Sequence, residues 1–221
     1  VCMGEPMLEF NQQPDTGRRL YLEGFGGDTS NAAIAAARQG ASAAYVTAIG
    51  RDAAGERFLE LWRQEGVDSS DVTVSDHSAT AIYFVMHSDA GHRFLYYRDG
   101  SAASRLTPRD AGLERVGTPR VLVVSGLSLG LGRPDGLSEV VRRAVRQFSA
   151  AGCLVVFDPN IRLGVWDGAR ARDDFEQIRG SVDVLIAGHD EMAVLVPELE
   201  ASRAAEALCA QGMRAVVVKA G

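Results

Sequence analysis

Short apolar runs recur along the chain at Ala44–Ile49, Arg120–Ser125, Cys153–Phe157, Val182–Ala187 and Arg214–Lys219. Runs of this kind, apolar on both alternating sets of positions, fit strands buried on both faces of a sheet. Between them the spacing changes to the helical period and predicts helices over Ser30–Gln39, Ala54–Glu65, Leu137–Ala151, Ala171–Gly180, Glu191–Val196 and Ser202–Gln211. In Ala54–Glu65, Phe58, Leu61 and Trp62 fall on one face and predict packing on the sheet. Strands alternating with helices predict an α/β fold, a doubly wound and mostly parallel sheet. Met192, Val194, Leu195 and Trp166 read as core. Val1–Glu5 reads as a strand entered midway, and the run ending at Lys219-Ala220-Gly221 as a strand running into a turn. Both ends therefore read as cut, with the C-terminal part of the domain absent.

Two stretches break this rhythm. Met7–Phe10 with Leu20–Glu23, and Thr80–His87 with Arg93–Arg98, read as short strands joined by turns, the second pair through Ser88-Asp89-Ala90-Gly91. The expectation is a small antiparallel lid, from about 7–23 and 80–98, over the carboxyl edge where ligands of such sheets bind.

Composition narrows the function classes. With 221 residues, 46% of them apolar, the chain is long enough for one domain with a real core. A net charge of −6 argues against a general nucleic-acid or anionic-membrane surface, so an anionic substrate must be held by locally placed arginines. Cys2, Cys153 and Cys209 are too few and too scattered for a disulfide framework and read as buried thiols in a cytoplasmic protein. No apolar run approaches a membrane span. Lys219 is the only lysine, at the end of a predicted strand, a place that invites a role arginine could not fill.

Chemistry concentrates in four places. Gly24-Phe25-Gly26-Gly27-Asp28-Thr29-Ser30-Asn31 puts small residues before an alanine-rich helix. Glycine permits close backbone approach, and Asp28 and Asn31 at the helix start suit a hydroxyl-rich ligand; a plain N-cap after a flexible turn is the alternative. Tyr83 lies on one lid strand and Tyr96-Tyr97-Arg98 on the next. Alternation sends Tyr96 and Arg98 to one face, where a phenol beside a guanidinium offers stacking and a fork for a carboxylate. An amphipathic hairpin with a surface arginine is the competing reading. Asp158-Pro159-Asn160-Ile161-Arg162 follows a buried strand, either as polar groups at the carboxyl edge or as a common turn composition. Gly188-His189-Asp190-Glu191 offers a carboxylate for Mg²⁺ or an ordinary acidic helix start. His77, His87, His92 and His189 lack metal-ligand spacing, Gly126–Gly136 fits no phosphate-loop pattern, and no nucleophile–base pair is visible.

Together, Gly4-Glu5-Pro6-Met7-Leu8-Glu9-Phe10, Gly26–Asn31, Tyr96-Tyr97-Arg98 and Asp158–Arg162 resemble, in order, the ribokinase-like (pfkB) sugar kinases, over essentially the whole chain. The tyrosine–arginine flap resembles most the members that phosphorylate 2-keto-3-deoxygluconate. The resemblance implies transfer of the γ-phosphate of ATP, with Mg²⁺, to an acid sugar. It implies that Gly27, Asp28 and Asn31 line the sugar hydroxyl site, that Tyr83 and Tyr96 close over the substrate and that Arg98 binds its carboxylate. Asn160 and Arg162 would lie near the transferring phosphate, with Arg162 catalytic. Glu191 matches the acidic end of an Asn-x-x-Glu magnesium motif whose asparagine is replaced by Gly188. Lys219 and Gly221 match the beginning of a nucleotide-binding turn. The family's Gly-Ala-Gly-Asp segment, which carries the general base, has no counterpart here, so these 221 residues alone are expected not to turn over. A neutral-sugar kinase such as a fructokinase and a non-catalytic sugar-binding protein are the other readings. A homodimer through the lid is a further expectation.

Overall fold

Successive residues of the first strand, Cys2–Met3 (β1), enter two different apolar cores. Met3 joins the larger core with Leu122, Val155 and Phe157, and Cys2 joins a smaller one with Tyr45, Phe58 and Trp62. Opposite sides of a strand face opposite layers, so the sheet is covered on both faces, as the double-sided apolar runs predict.

The computed structural model describes residues 1–13, 19–88, 91–130, 135–162 and 166–220. After β1 come β2 (Met7–Gln12), β3 (Tyr21–Gly26), α1 (Asp28–Arg38), β4 (Ala43–Val46), β5 (Ala48–Gly50), α2 (Ala53–Gln64), β6 (Val67–Asp68), β7 (Thr73–Ser75), β8 (Ala81–Ser88) and β9 (Gly91–Tyr97). They are followed by α3 (Pro108–Ala111), β10 (Val121–Ser125), α4 (Gly126–Gly130), α5 (Leu137–Ala150), β11 (Leu154–Asp158), α6 (Gly168–Ile178), β12 (Val184–Gly188), α7 (His189–Leu195), α8 (Ala201–Ala210) and β13 (Ala215–Lys219). The main sheet is parallel and seven-stranded, in the order β13-β12-β11-β10-β1-β4-β6. From β1 the chain goes first to β4 on one side and later to β10 on the other. The carboxyl ends of β1 and β10 therefore bound a topological switch point, the usual crevice for a ligand.

Local chemistry explains the helices. Asp52 caps α2 by accepting the Gly55 N–H at 2.8 Å, and Phe58 and Trp62, one turn apart, are fully buried. Helix α5 buries Val140, Val141, Ala144, Val145 and Phe148 along one stripe. Helix α1 docks partly through polar contacts: Thr29 Oγ1 meets the Tyr45 hydroxyl at 3.0 Å, and Trp62 Nε1 donates to Ser30 Oγ at 2.9 Å.

Several expectations are corrected. The single strand over Ala44–Ile49 is broken at Thr47, whose hydroxyl donates to the Gly4 carbonyl at 2.6 Å while its own carbonyl accepts from Thr73. The chain changes sheet there, and β5 pairs with β7 instead. The lid is not purely antiparallel. Its order is β3-β2-β8-β9, two hairpins joined by a parallel β2–β8 seam. Helix α6 starts earlier than the pattern predicts because Asp167 caps it. Cys2 and Cys153 are buried, but Cys209 is exposed near the end of α8. Trp166 is buried against Gly126 and Gly130, where a Cβ would collide with the indole. No helix among the described residues is long and apolar enough to cross a membrane.

Candidate active site

A cavity of about 500 Å³ lies between the lid and the carboxyl edge of the sheet. Met7, Glu9, Gly26, Gly27, Asp28, Asn31, Tyr83, Phe94, Tyr96, Arg98, Asn160 and Arg162 line it, with Phe25 and Leu127. Eight of the residues expected to act together from sequence are thus gathered around one space, although they come from four separate segments.

The floor is built on Gly27, which precedes α1 with a φ of 107°. That left-handed backbone is open to glycine at no steric cost. It also lets the turn pass close over Glu5 and Pro6, where a Cβ would stand 2.8 Å from the Glu5 carbonyl oxygen. Gly27, and not Asp28, is therefore the N-cap position, and Asp28 opens the helix with its side chain free for other work. One Asp28 oxygen accepts the Thr29 N–H at 2.7 Å; the other accepts the Ser125 hydroxyl and, at 2.6 Å, the Asn160 amide. Asp28 thus ties the ends of β3 and β10 to the loop after β11. Asn160 is the one described non-glycine residue with positive φ, 41°, a conformation that asparagine tolerates better than most. Its N–H donates to Asp158 Oδ1 at 3.2 Å, closing the turn.

The roof is aromatic. Glu9, Tyr83 and Tyr96 stand side by side across three lid strands. The Tyr83 and Tyr96 rings stack at 5.7 Å, and Tyr96 and Phe94 at 6.1 Å. The Tyr83 hydroxyl donates to Glu9 Oε2, and burial, then that carboxylate, pushes the phenol well above its ordinary value. Arg98 closes one end, its guanidinium 5.7 Å from the Tyr96 ring centroid. Its Nε and Nη2 both donate to Glu5, so a good part of the fork expected to meet a substrate carboxylate is already engaged. Tyr97 points away and is exposed, as alternation predicts.

At the far edge, Lys219 at the end of β13 lies 3.3 and 3.4 Å from the two Asp158 oxygens and 3.7 Å from Glu191 Oε2. Burial raises the Asp158 carboxyl above its usual value, against the pull of Lys219. Gly221 lies outside the described residues.

The match to known proteins decides what this arrangement belongs to. The model of the pfkB family carbohydrate kinases matches residues 14–221. The chain is a member of the pfkB family. It is 30% identical to a 2-dehydro-3-deoxygluconokinase of Thermoproteus tenax, aligned over all of this chain and 69% of that protein. It is 32% identical to fructokinase-2 of Zea mays, over 88% of this chain and 59% of that protein. A fructokinase of Xylella fastidiosa solved with bound ATP superimposes with a TM-score of 0.85 at 24% identity, over all of this chain and 72% of that one, which establishes the ribokinase-like fold. The chain thus spans roughly six to seven tenths of the length of these curated relatives.

Glu191, expected to face a magnesium ion, has both of its oxygens in use. Glu191 Oε1 accepts the Ile161 N–H at 2.8 Å and Oε2 accepts the Gly188 N–H at 2.7 Å, so both oxygens serve the backbone. No group of three or more His, Cys, Asp or Glu side chains that could hold a metal is found among the described residues. Sequence reasoning missed Glu5, Glu9 and Ser125. For Glu9 a signal existed, since it follows Met7 by two on the same strand face; Glu5 and Ser125 are revealed only by partners more than ninety residues away.

Proposed function

We propose that the protein containing this chain transfers the γ-phosphate of ATP to the terminal hydroxyl of 2-keto-3-deoxygluconate. The observation that carries this reading is the cavity itself. Stacked tyrosines form its roof, Asp28 and Asn31 its floor, and two arginines, Arg98 and Arg162, reach it from opposite segments. Arg98 still has one nitrogen, Nη1, with no acceptor among the described residues, although that atom is itself buried. Gly27, Asp28 and Asn31 orient the sugar, Tyr83 and Tyr96 exclude water above it, and Asn160 and Arg162 stand where the phosphoryl group passes. A guanidinium there stabilises charge spread over the equatorial oxygens. Lys219 meets the nucleotide at the sheet edge. Glu191 is the residue that would face a Mg²⁺ bound with the polyphosphate, an ion that would neutralise phosphate charge. The general base comes from outside the motifs present here, since the family's Gly-Ala-Gly-Asp segment has no counterpart in the sequence.

A second reading, a fructokinase, is favoured by one observation: the charge of Arg98 is balanced by Glu5, which weakens its claim on a carboxylate. ADP release by the full-length protein separates the two. The expected kcat/KM for 2-keto-3-deoxygluconate exceeds that for fructose by about tenfold or more, the scale on which one specific polar contact discriminates. Equal or reversed values would assign the site to the neutral sugar.

The protein is also proposed to pair through its lid, where Tyr21, Leu95 and Tyr97 are exposed on the face away from the cavity. Sedimentation should give a dimer that Leu95→Asp with Tyr97→Asp dissociates; a wild-type monomer at every concentration would end the idea.

A further inference from the structure

The cavity wall contains a buried ion pair whose acid, Glu5, the transfer reaction leaves without a role. The side chains of Glu5 and Arg98 are only 2% and 8% exposed. Glu5 Oε2 accepts Arg98 Nε at 2.8 Å and also Nη2, while Oε1 accepts the Ser101 hydroxyl. Ser101 is itself fixed, because its N–H donates to the Arg98 carbonyl at 3.1 Å and its hydroxyl accepts the Ser104 N–H at 3.1 Å. Of the guanidinium, only Nη1 lacks a partner, although it is buried and Arg98 lines the cavity. A free guanidinium would offer a carboxylate two parallel bonds and a full charge. The Glu5-bound one belongs to a pair with no net charge, and its remaining nitrogen, Nη1, is itself enclosed in the wall.

We propose that Glu5 is a positioning residue that sets the sugar selectivity of the site by holding and neutralising Arg98 in the cavity wall. The inference rests on the reading of the cavity as a sugar site. A neutral pair draws a carboxylate less strongly than a free guanidinium would. The discrimination between an acid sugar and a neutral one that Arg98 provides is thereby held down. Gly4-Glu5-Pro6 joins β1 to the first lid strand, so the acid that tunes Arg98 belongs to the continuation of an interior strand of the main sheet.

The test uses the full-length protein and reads KM for 2-keto-3-deoxygluconate, fructose and ATP. Glu5→Gln keeps the shape and removes the charge; the ratio of the fructose KM to the acid-sugar KM should rise about tenfold, with the ATP KM in place. Removing both partners in Glu5→Gln/Arg98→Met avoids stranding a buried charge. There both sugar KM values should rise together, by about tenfold, because the lost pair carried no net charge. Selective loss of the acid sugar in that double variant would show that Arg98 acts as a free charge and overturn the inference. An unchanged ratio in Glu5→Gln would overturn it as well. Should Glu5→Gln not fold, the double variant decides alone. The choice of substrate is read from the wild-type protein and the role of Glu5 from the change on substitution, so either can fail without the other.

Discussion

At the residue scale, the site depends on a few positions where backbone and side chain serve each other. Gly27 is legible in the sequence because a glycine before a polar helix start has few other uses, and the left-handed φ supplies the reason. Gly27→Ala should destabilise the fold by about 1–3 kcal/mol, the usual cost of a non-glycine residue held in a disfavoured region. It should also raise the half-saturating sugar concentration, since Asp28 and Asn31 follow directly. Thermal unfolding and sugar titration check this, and a variant of wild-type stability and affinity would contradict it. Arg98 was only half legible. Alternation along the strand placed it on the cavity face, but no local pattern announces that Glu5, far away in sequence, takes two of its nitrogens. Glu191 shows the same limit, since its carboxylate is spent on two backbone N–H groups that spacing alone cannot reveal.

At the element scale, the strands and helices of the main layers were readable because double-sided apolar runs and helical stripes are local signals. The short strands β6 and β7 and the helices α3 and α4 were not, since each is too brief to show a period and is held by its neighbours. The root of the lid depends on one such long-range contact. Asp52, the cap of α2, also accepts the Thr80 N–H and hydroxyl at 2.8 and 2.9 Å, just before β8 begins. Burial pushes its carboxyl up, but the hydrogen bonds from Thr80 and Gly55 outweigh this and hold it below the ordinary 3.8. Because the folded value is the lower one, the stabilisation is complete above the unfolded value and is lost as pH falls through the folded value. Asp52→Ala should therefore cost about 1–2 kcal/mol at neutral pH, as lost caps do. The difference from wild type should shrink as the pH drops below about 4. Urea unfolding at both pH values checks the pair of statements, and an equal penalty at each would refute the second.

At the scale of the whole molecule, the sheet order does what no single motif could. It brings the ends of β1, β10, β11 and β13 to one edge, and the lid crosses above them. The lid was visible as two interruptions of the α/β rhythm, but its parallel seam was not, because pairing between β2 and β8 joins segments some seventy residues apart. That seam has a mechanical consequence. Only Gly4, Glu5 and Pro6 separate β1, next to the central strand of the sheet, from the lid strand β2, and the middle one is clamped by Arg98 and Ser101. Such a joint is a poor hinge and a good lever arm. Torque on the lid is delivered through β1 to the sheet, so β2 and the core turn together.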